Sequence, residues 1–126
     1  MMPFYIFMFI MSLLIPLVMI IIGAVFIKRP PKKINGIFGY RTKMSRKSQE
    51  TWDFAHLFSG RIFFRMGIVM LVPSVIVMLL VHGRSEDTVG FVGGILELAQ
   101  CVFLVLPISF TERALRENFD ENGRRL

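Results

Sequence analysis

Apolar positions fall into three long runs separated by polar stretches of unequal length. Residues 4–27 carry no charge at all. Built as a helix at 1.5 Å per residue, they would reach about 36 Å, more than the ~30 Å hydrocarbon core of a bilayer. Residues 62–81 form the second run, about 30 Å long, with Arg65 close enough to its start to snorkel toward headgroups. Residues 89–110 form the third and least apolar run, interrupted by Glu97 and Gln100. Pro16, Gly23, Gly67 and Pro73 lie inside the first two runs. Membrane helices tolerate both residue types because their neighbours re-satisfy the freed backbone groups. The pattern predicts an all-α polytopic membrane protein, a single membrane domain over residues 1–126 with three transmembrane helices.

A cleaved signal peptide fits the first run badly. No basic residue precedes it, it is too long, and no small-x-small site follows. The link between the second and third runs is only residues 82–88, which forces antiparallel neighbours. The tail, residues 111–126, alternates acids with arginines and reads as a solvated helical or frayed end, with Asn122-Gly123 as its stop.

The long connection, residues 28–61, departs from simple linker character. Pro30 and Pro31 end the first helix and hold an extended exit. Asn35-Gly36 and Gly39 supply turn chemistry. Ile34, Ile37, Phe38 and Tyr40 are apolar or amphipathic residues that a solvated linker would not carry. They suit the headgroup boundary or a groove on the protein's own helices, and either placement orders the loop. From Ser45, a candidate N-cap, helical spacing returns in Trp52, Ala55, Phe58 and Ile62. A short amphipathic helix over residues 46–59 is expected at the interface, with Trp52 as its anchor and Gly60 as the elbow into the second span. The alternative is one unbroken helix through Gly60, since glycine is a weak breaker.

Charge then sets orientation. Lys and Arg total 15 against 9 Asp and Glu, for a formal net charge of +6. The basic residues crowd into residues 28–61, whereas the second link holds only Arg84 and nothing basic precedes Phe4. The positive-inside rule places the long loop and the tail in the cytoplasm and the N-terminus and the His82 link outside. Lys28, Arg29, Lys32 and Lys33 should meet anionic lipid headgroups, worth ~1 kcal/mol each near a charged surface. A loop tethered to the bilayer at both ends is a poor nucleic-acid binder.

The stretch Ile34-Asn35-Gly36, then Gly39-Tyr40-Arg41-Thr42, Met44-Ser45, Trp52 with Ala55, Gly60-Arg61 and Gly67 resembles the SdpI/YfhL family of small bacterial membrane proteins. Pro107-Ile108-Ser109 extends the likeness, which runs from about Pro31 to Ser109. Where the family usually has Asn after Trp-x-x-Ala, this chain has His56. The resemblance implies immunity to a secreted, membrane-active peptide toxin. For some members it also implies a signalling role that draws a cytosolic regulator to the membrane.

The candidate partner- or lipid-binding residues are Asn35, Gly36, Gly39, Tyr40, Arg41, Thr42, Ser45, Trp52 and Ala55. Arg41 offers a planar fork of donors for a phosphate or carboxylate. A structural role, capping a helix or pairing with Glu50 or Asp53, competes with that reading. Glu97 and Gln100, one turn apart and able to share a hydrogen bond, are the intramembrane polar candidates, expected to face the other helices; the alternative is a tolerated polar defect on the third span. Cys101, the lone cysteine, is expected to be a packing residue. His56 and His82 fall on opposite sides of the membrane and cannot share a metal. No nucleophile–base pair, phosphate loop or ligand set is visible, so neither an enzyme nor a cofactor or metal is expected. Three functions remain: an immunity protein acting without turnover, a membrane receptor for a cytosolic regulator, and a small transporter or channel subunit, oligomeric around Glu97.

Overall fold

The computed structural model describes residues 2–126. Three helices follow in order: α1 (Met2–Lys28), α2 (Gln49–Leu80) and α3 (Glu86–Asn118). Each is long and apolar enough to cross a membrane, which makes this a multi-pass membrane protein. At 1.5 Å per residue, α2 and α3 reach about 48 and 50 Å, well beyond a ~30 Å core. The surplus lies at one end of the bundle, beside Lys28, where it meets the long loop and the chain's last residues.

The separate interfacial helix over residues 46–59 does not form. The chain is one helix from Gln49 to Leu80 and passes straight through Gly60. A glycine inside a helix costs about 1 kcal/mol relative to Ala, and close packing offsets it here. A Cβ on Gly60 would come within 2.8 Å of the Phe26 side chain, and one on Gly23 within 2.6 Å of the Gly60 carbonyl. The two glycines let α1 and α2 touch backbone to backbone, as small residues do in membrane bundles. The start also shifts. Ser48, not Ser45, is the N-cap: its hydroxyl accepts from the Thr51 N–H, and its own N–H donates to Thr51 Oγ1 at 3.0 Å, a closed capping box.

α1 and α2 run antiparallel and α3 lies along both. At the Met2 end, the Tyr5 hydroxyl donates to the Met78 carbonyl at 2.6 Å, and Tyr5 packs edge-on against His82. At the Lys28 end, Phe26, Tyr40, Ala55, Phe63, Leu115 and Phe119 share one core.

The tail is neither solvated nor frayed at that core. Thr111, Ala114, Leu115 and Phe119 are buried. α3 stops at Asn118, before Asn122-Gly123, and the chain hooks back so that Phe119 bridges to Arg125. Gly123 forms the turn of that hook and accepts from the Ser48 hydroxyl at 2.7 Å. Cys101 does not pack inside the bundle; it lies exposed on α3.

Candidate functional site

The motif residues converge where the loop crosses the protruding ends of α2 and α3. Trp52 is completely buried, and its indole N–H donates to the Pro31 carbonyl at 2.6 Å. It therefore anchors the loop, not a lipid interface, which corrects the membrane-anchor expectation. Ala55, one turn on, is also fully buried, in the core beside Tyr40.

His56 completes this face of α2. Its Nε2 accepts from the Tyr40 backbone N–H at 2.9 Å, and its Nδ1 lies 2.7 Å from the Trp52 carbonyl. A ring that accepts at Nε2 and faces a carbonyl at Nδ1 is neutral with its proton on Nδ1. Gly39 sits directly over this ring at φ +113°, a left-handed conformation. A Cβ there would come within 2.6 Å of His56 Nε2.

The next residues fasten the loop to α3. The Tyr40 hydroxyl donates to Glu112 Oε2 at 2.7 Å and approaches the Ile108 carbonyl at 3.2 Å. The Thr42 hydroxyl donates to the same Glu112 oxygen at 2.8 Å. Burial, aided by the Glu112 carboxylate, pushes the Tyr40 phenol far above its usual range, so it stays a donor. Ser45 is buried in the turn that follows. Its Oγ accepts from the Thr42 N–H at 2.9 Å and lies 2.9 Å from the Tyr40 carbonyl, while its own carbonyl accepts from Thr51 Oγ1.

Asn35 and Gly36 stay outside this network, on the exposed part of the loop. Asn35 Oδ1 accepts from the N–H groups of Ile37 and Phe38, closing an Asx turn. Arg41 is exposed and donates to the Gly36 carbonyl. It caps no helix and pairs with neither Glu50 nor Asp53: Arg125 faces Glu50 at 3.6 Å, and Gln49 donates to Asp53. Ile37 is 90% exposed; Phe38 is 53% exposed yet packs edge-on against Phe26, ring centroids 6.4 Å apart, while Tyr40 takes the inward groove. Of the four apolar loop residues, Tyr40 is buried and Ile34, Ile37 and Phe38 are exposed.

A groove of about 310 Å³ opens beside the motif. Ile22, Phe26, Phe63 and Ile108 give it an apolar floor, and Tyr40, Arg41 and Thr42 form its polar rim. A second groove, about 420 Å³, lies on the other side of Glu112 between Lys43, Lys47, Arg116 and Glu121.

Glu112 is not visible as a site residue in the sequence. It stood among alternating tail charges, and nothing local distinguishes it from Glu117 or Glu121. His56 was visible only as a departure from a pattern. The polar candidates of the third run, Glu97 and Gln100, do not bond to each other. Gln100 is 2% exposed; its Nε2 donates to the Ser12 carbonyl and to Ser74 Oγ, both at 2.8 Å, rather than to Glu97. Glu97 Oε1 is buried without a hydrogen-bond partner. Among the described residues, no group of three or more His, Cys, Asp or Glu could hold a metal ion.

The sequence profile of the SdpI/YfhL protein family matches residues 32–111, which spans the loop motif, α2 and most of α3. The chain belongs to the SdpI/YfhL family. It is also 38% identical over 52 residues to the uncharacterized protein YfhL of Bacillus subtilis (strain 168). That segment covers 41% of this chain and 47% of the relative, so the chain spans about half the length of the curated protein it matches. No solved structure matches.

Proposed function

We propose that this protein is an integral membrane immunity protein that protects its cell from a membrane-active peptide by binding or excluding it, without catalysis. Family membership over residues 32–111 supports this class. The observation that carries the reading is the groove beside the motif. An amphipathic peptide needs an apolar floor next to a polar, cationic rim. Phe26, Phe63, Ile22 and Ile108 supply the first and Arg41 with its neighbours the second. Ile37 and Phe38, exposed beside it, would seat the loop among headgroups. Binding here requires no turnover.

The excess of basic residues in residues 28–61 supports a cytoplasmic loop and tail, with the N-terminus outside. Lys43→Cys in a Cys101→Ser background should be blocked by a membrane-impermeant thiol reagent only after the cells are opened. For the function, cells expressing the protein should survive membrane-active peptides that kill an empty-vector strain. Arg41→Glu should lose that protection while the protein level holds. Equal killing with and without the protein across a broad peptide panel refutes the reading.

A second reading, a receptor for a cytosolic regulator, is favoured by the groove at Lys43, Lys47 and Arg116. None of these cations is in an ion pair among the described residues. An acidic partner surface would complement them. Pull-down of a defined cytosolic protein that fails with Lys43→Glu and Lys47→Glu would support it. The transporter reading rests on Glu97 and Gln100, and ion flux in liposomes tests it.

A further inference from the structure

Each helix carries a proline within its apolar run: Pro16, Pro73 and Pro107. A proline has no N–H, so the carbonyl four residues earlier loses its helical donor. Those carbonyls belong to Ser12, Val69 and Phe103. In hydrocarbon no water replaces a missing donor, and each unsatisfied group is costly. Ser12 is repaired from within, since Gln100 Nε2 reaches its carbonyl at 2.8 Å. That repair leaves the other end of the amide, Gln100 Oε1, buried without any partner.

Gln100 lines a cleft of about 260 Å³ between α2 and α3, near the middle of the apolar runs. Val69 and Phe103, the residues with the two remaining donor-deprived carbonyls, line the same cleft, with Pro73 and Ser74. Val69 and Phe103 are also exposed on the outer flanks of their helices, so the cleft opens sideways toward lipid. Ser74 brings no spare donor, because its hydroxyl already points to the Met70 carbonyl at 2.7 Å. The cleft is therefore greasy and lateral, and the unmatched polar atom of its lining residues is Gln100 Oε1.

We propose that this cleft receives a hydrogen-bond donor presented by an apolar helix already dissolved in the membrane: the hydroxyl or amide side chain of an inserted peptide. The proposal rests on the immunity reading and adds a second contact, at mid-bilayer depth, for the same class of partner. Three properties select this occupant. The cleft is smaller than the ~300–1,000 Å³ of pockets for drug-sized ligands, so it takes a side chain and not a whole helix. An acyl chain would fill the volume and leave Gln100 Oε1 bare. Water would have to cross hydrocarbon to arrive.

Full-length protein in phosphatidylglycerol–phosphatidylcholine vesicles can be tested with synthetic Leu/Ala transmembrane peptides. Each peptide carries a photoreactive group beside a central Asn, Ser or Leu. Hydrogen bonds between membrane helices correspond to about threefold to twentyfold in population. The Asn and Ser peptides should be captured more than the Leu peptide by about that factor. Gln100→Leu should abolish the preference. Ala99→Phe fills the cleft from its lipid side without touching the Gln100 bonds, and should reduce capture of all three. Equal capture of all peptides by the native protein means an acyl chain fills the cleft, and overturns the proposal. A preference that survives Ala99→Phe also overturns it, even if Gln100→Leu fails to fold. A protein that discriminates among peptides yet protects no cell keeps the cleft and loses the immunity reading; the reverse pattern loses only the cleft.

Discussion

Glu112 is the residue on which the loop's attachment to α3 depends, and its removal has a calculable effect. One carboxylate oxygen accepts from the Tyr40 hydroxyl at 2.7 Å and the Thr42 hydroxyl at 2.8 Å. A hydrogen bond to a charged acceptor contributes about 1.5–3 kcal/mol. Glu112→Leu does not forfeit both in full. Tyr40 keeps the Ile108 carbonyl at 3.2 Å, and half-buried Thr42 can turn to water. A net loss of about 2 kcal/mol follows. Glu112→Gln still offers one amide oxygen and should cost about 1 kcal/mol.

These losses fall on local opening of the loop, because the helices keep their own contacts. About 2 kcal/mol raises the open population roughly 30-fold, and about 1 kcal/mol roughly fivefold. Arg46 and Lys47 are exposed tryptic sites within the fastened segment. When opening is fast relative to cleavage, nicking tracks the open population. Limited trypsinolysis of the protein in vesicles should therefore rank Glu112→Leu above Glu112→Gln above native. Glu121→Gln, exposed beside the same groove, should match the native protein. Native-like nicking in Glu112→Leu would refute the attachment.

Three further outcomes follow from the same network. The Tyr40 phenol is harder to ionise in the fold than in the open chain, so its contribution is fully present below about pH 10 and is lost as pH rises further. Stability measured from pH 8 to 11.5 should fall at the alkaline end, and Tyr40→Phe should flatten that decline. Gly39→Ala combines a φ of +113° with a Cβ 2.6 Å from His56 Nε2 and should cost about 1–3 kcal/mol. Gly36→Ala, whose Cβ meets nothing within 4 Å, should change the thermal midpoint little in the same assay. Nitrogen-15 shifts at neutral pH should report His56 as neutral with its proton on Nδ1; an imidazolium would contradict the Tyr40 N–H bond.

The spans were legible because hydrophobic length is a local property. Three charge-poor stretches of 20 or more residues read as candidate membrane helices, and residues 4–27, 62–81 and 89–110 each lie within an observed helix apart from Val81, the C-cap of α2. What was not legible is what happens past the bilayer. Gly60 read as an elbow because its own sequence neighbours give no hint of Phe26 and Gly23 pressing on it from α1. Trp52 read as a lipid anchor because Trp beside a span usually is one. Only the fold reveals that Pro31, twenty-one residues earlier, takes its N–H. Glu112 is 70 residues from Thr42 in sequence and 2.8 Å away in space. Pairings of that kind leave no periodicity to read.

The family signature is consequently a description of a scaffold. Tyr40, Ser45, Trp52 and Ala55 are buried, and every donor or acceptor shown for their side chains is engaged inside the protein. A ligand could reach Ser45, Trp52 and Ala55 only by opening the loop, which the Glu112 bonds oppose; Tyr40 alone of the four also borders the groove. The same burial explains why one glycine and one imidazole are fitted together: Gly39 leaves room for His56, and His56 returns a hydrogen bond to the next residue, Tyr40. On the proposed function, recognition would fall to what the network leaves outside: the Arg41 rim, the exposed Ile37 and Phe38, and the lateral cleft at Gln100. Substituting the buried set should change protein level and protection together. Substituting the outer set should change protection alone. That separation can be measured in one strain panel, and protection that follows protein level at every position would leave no binding surface to defend.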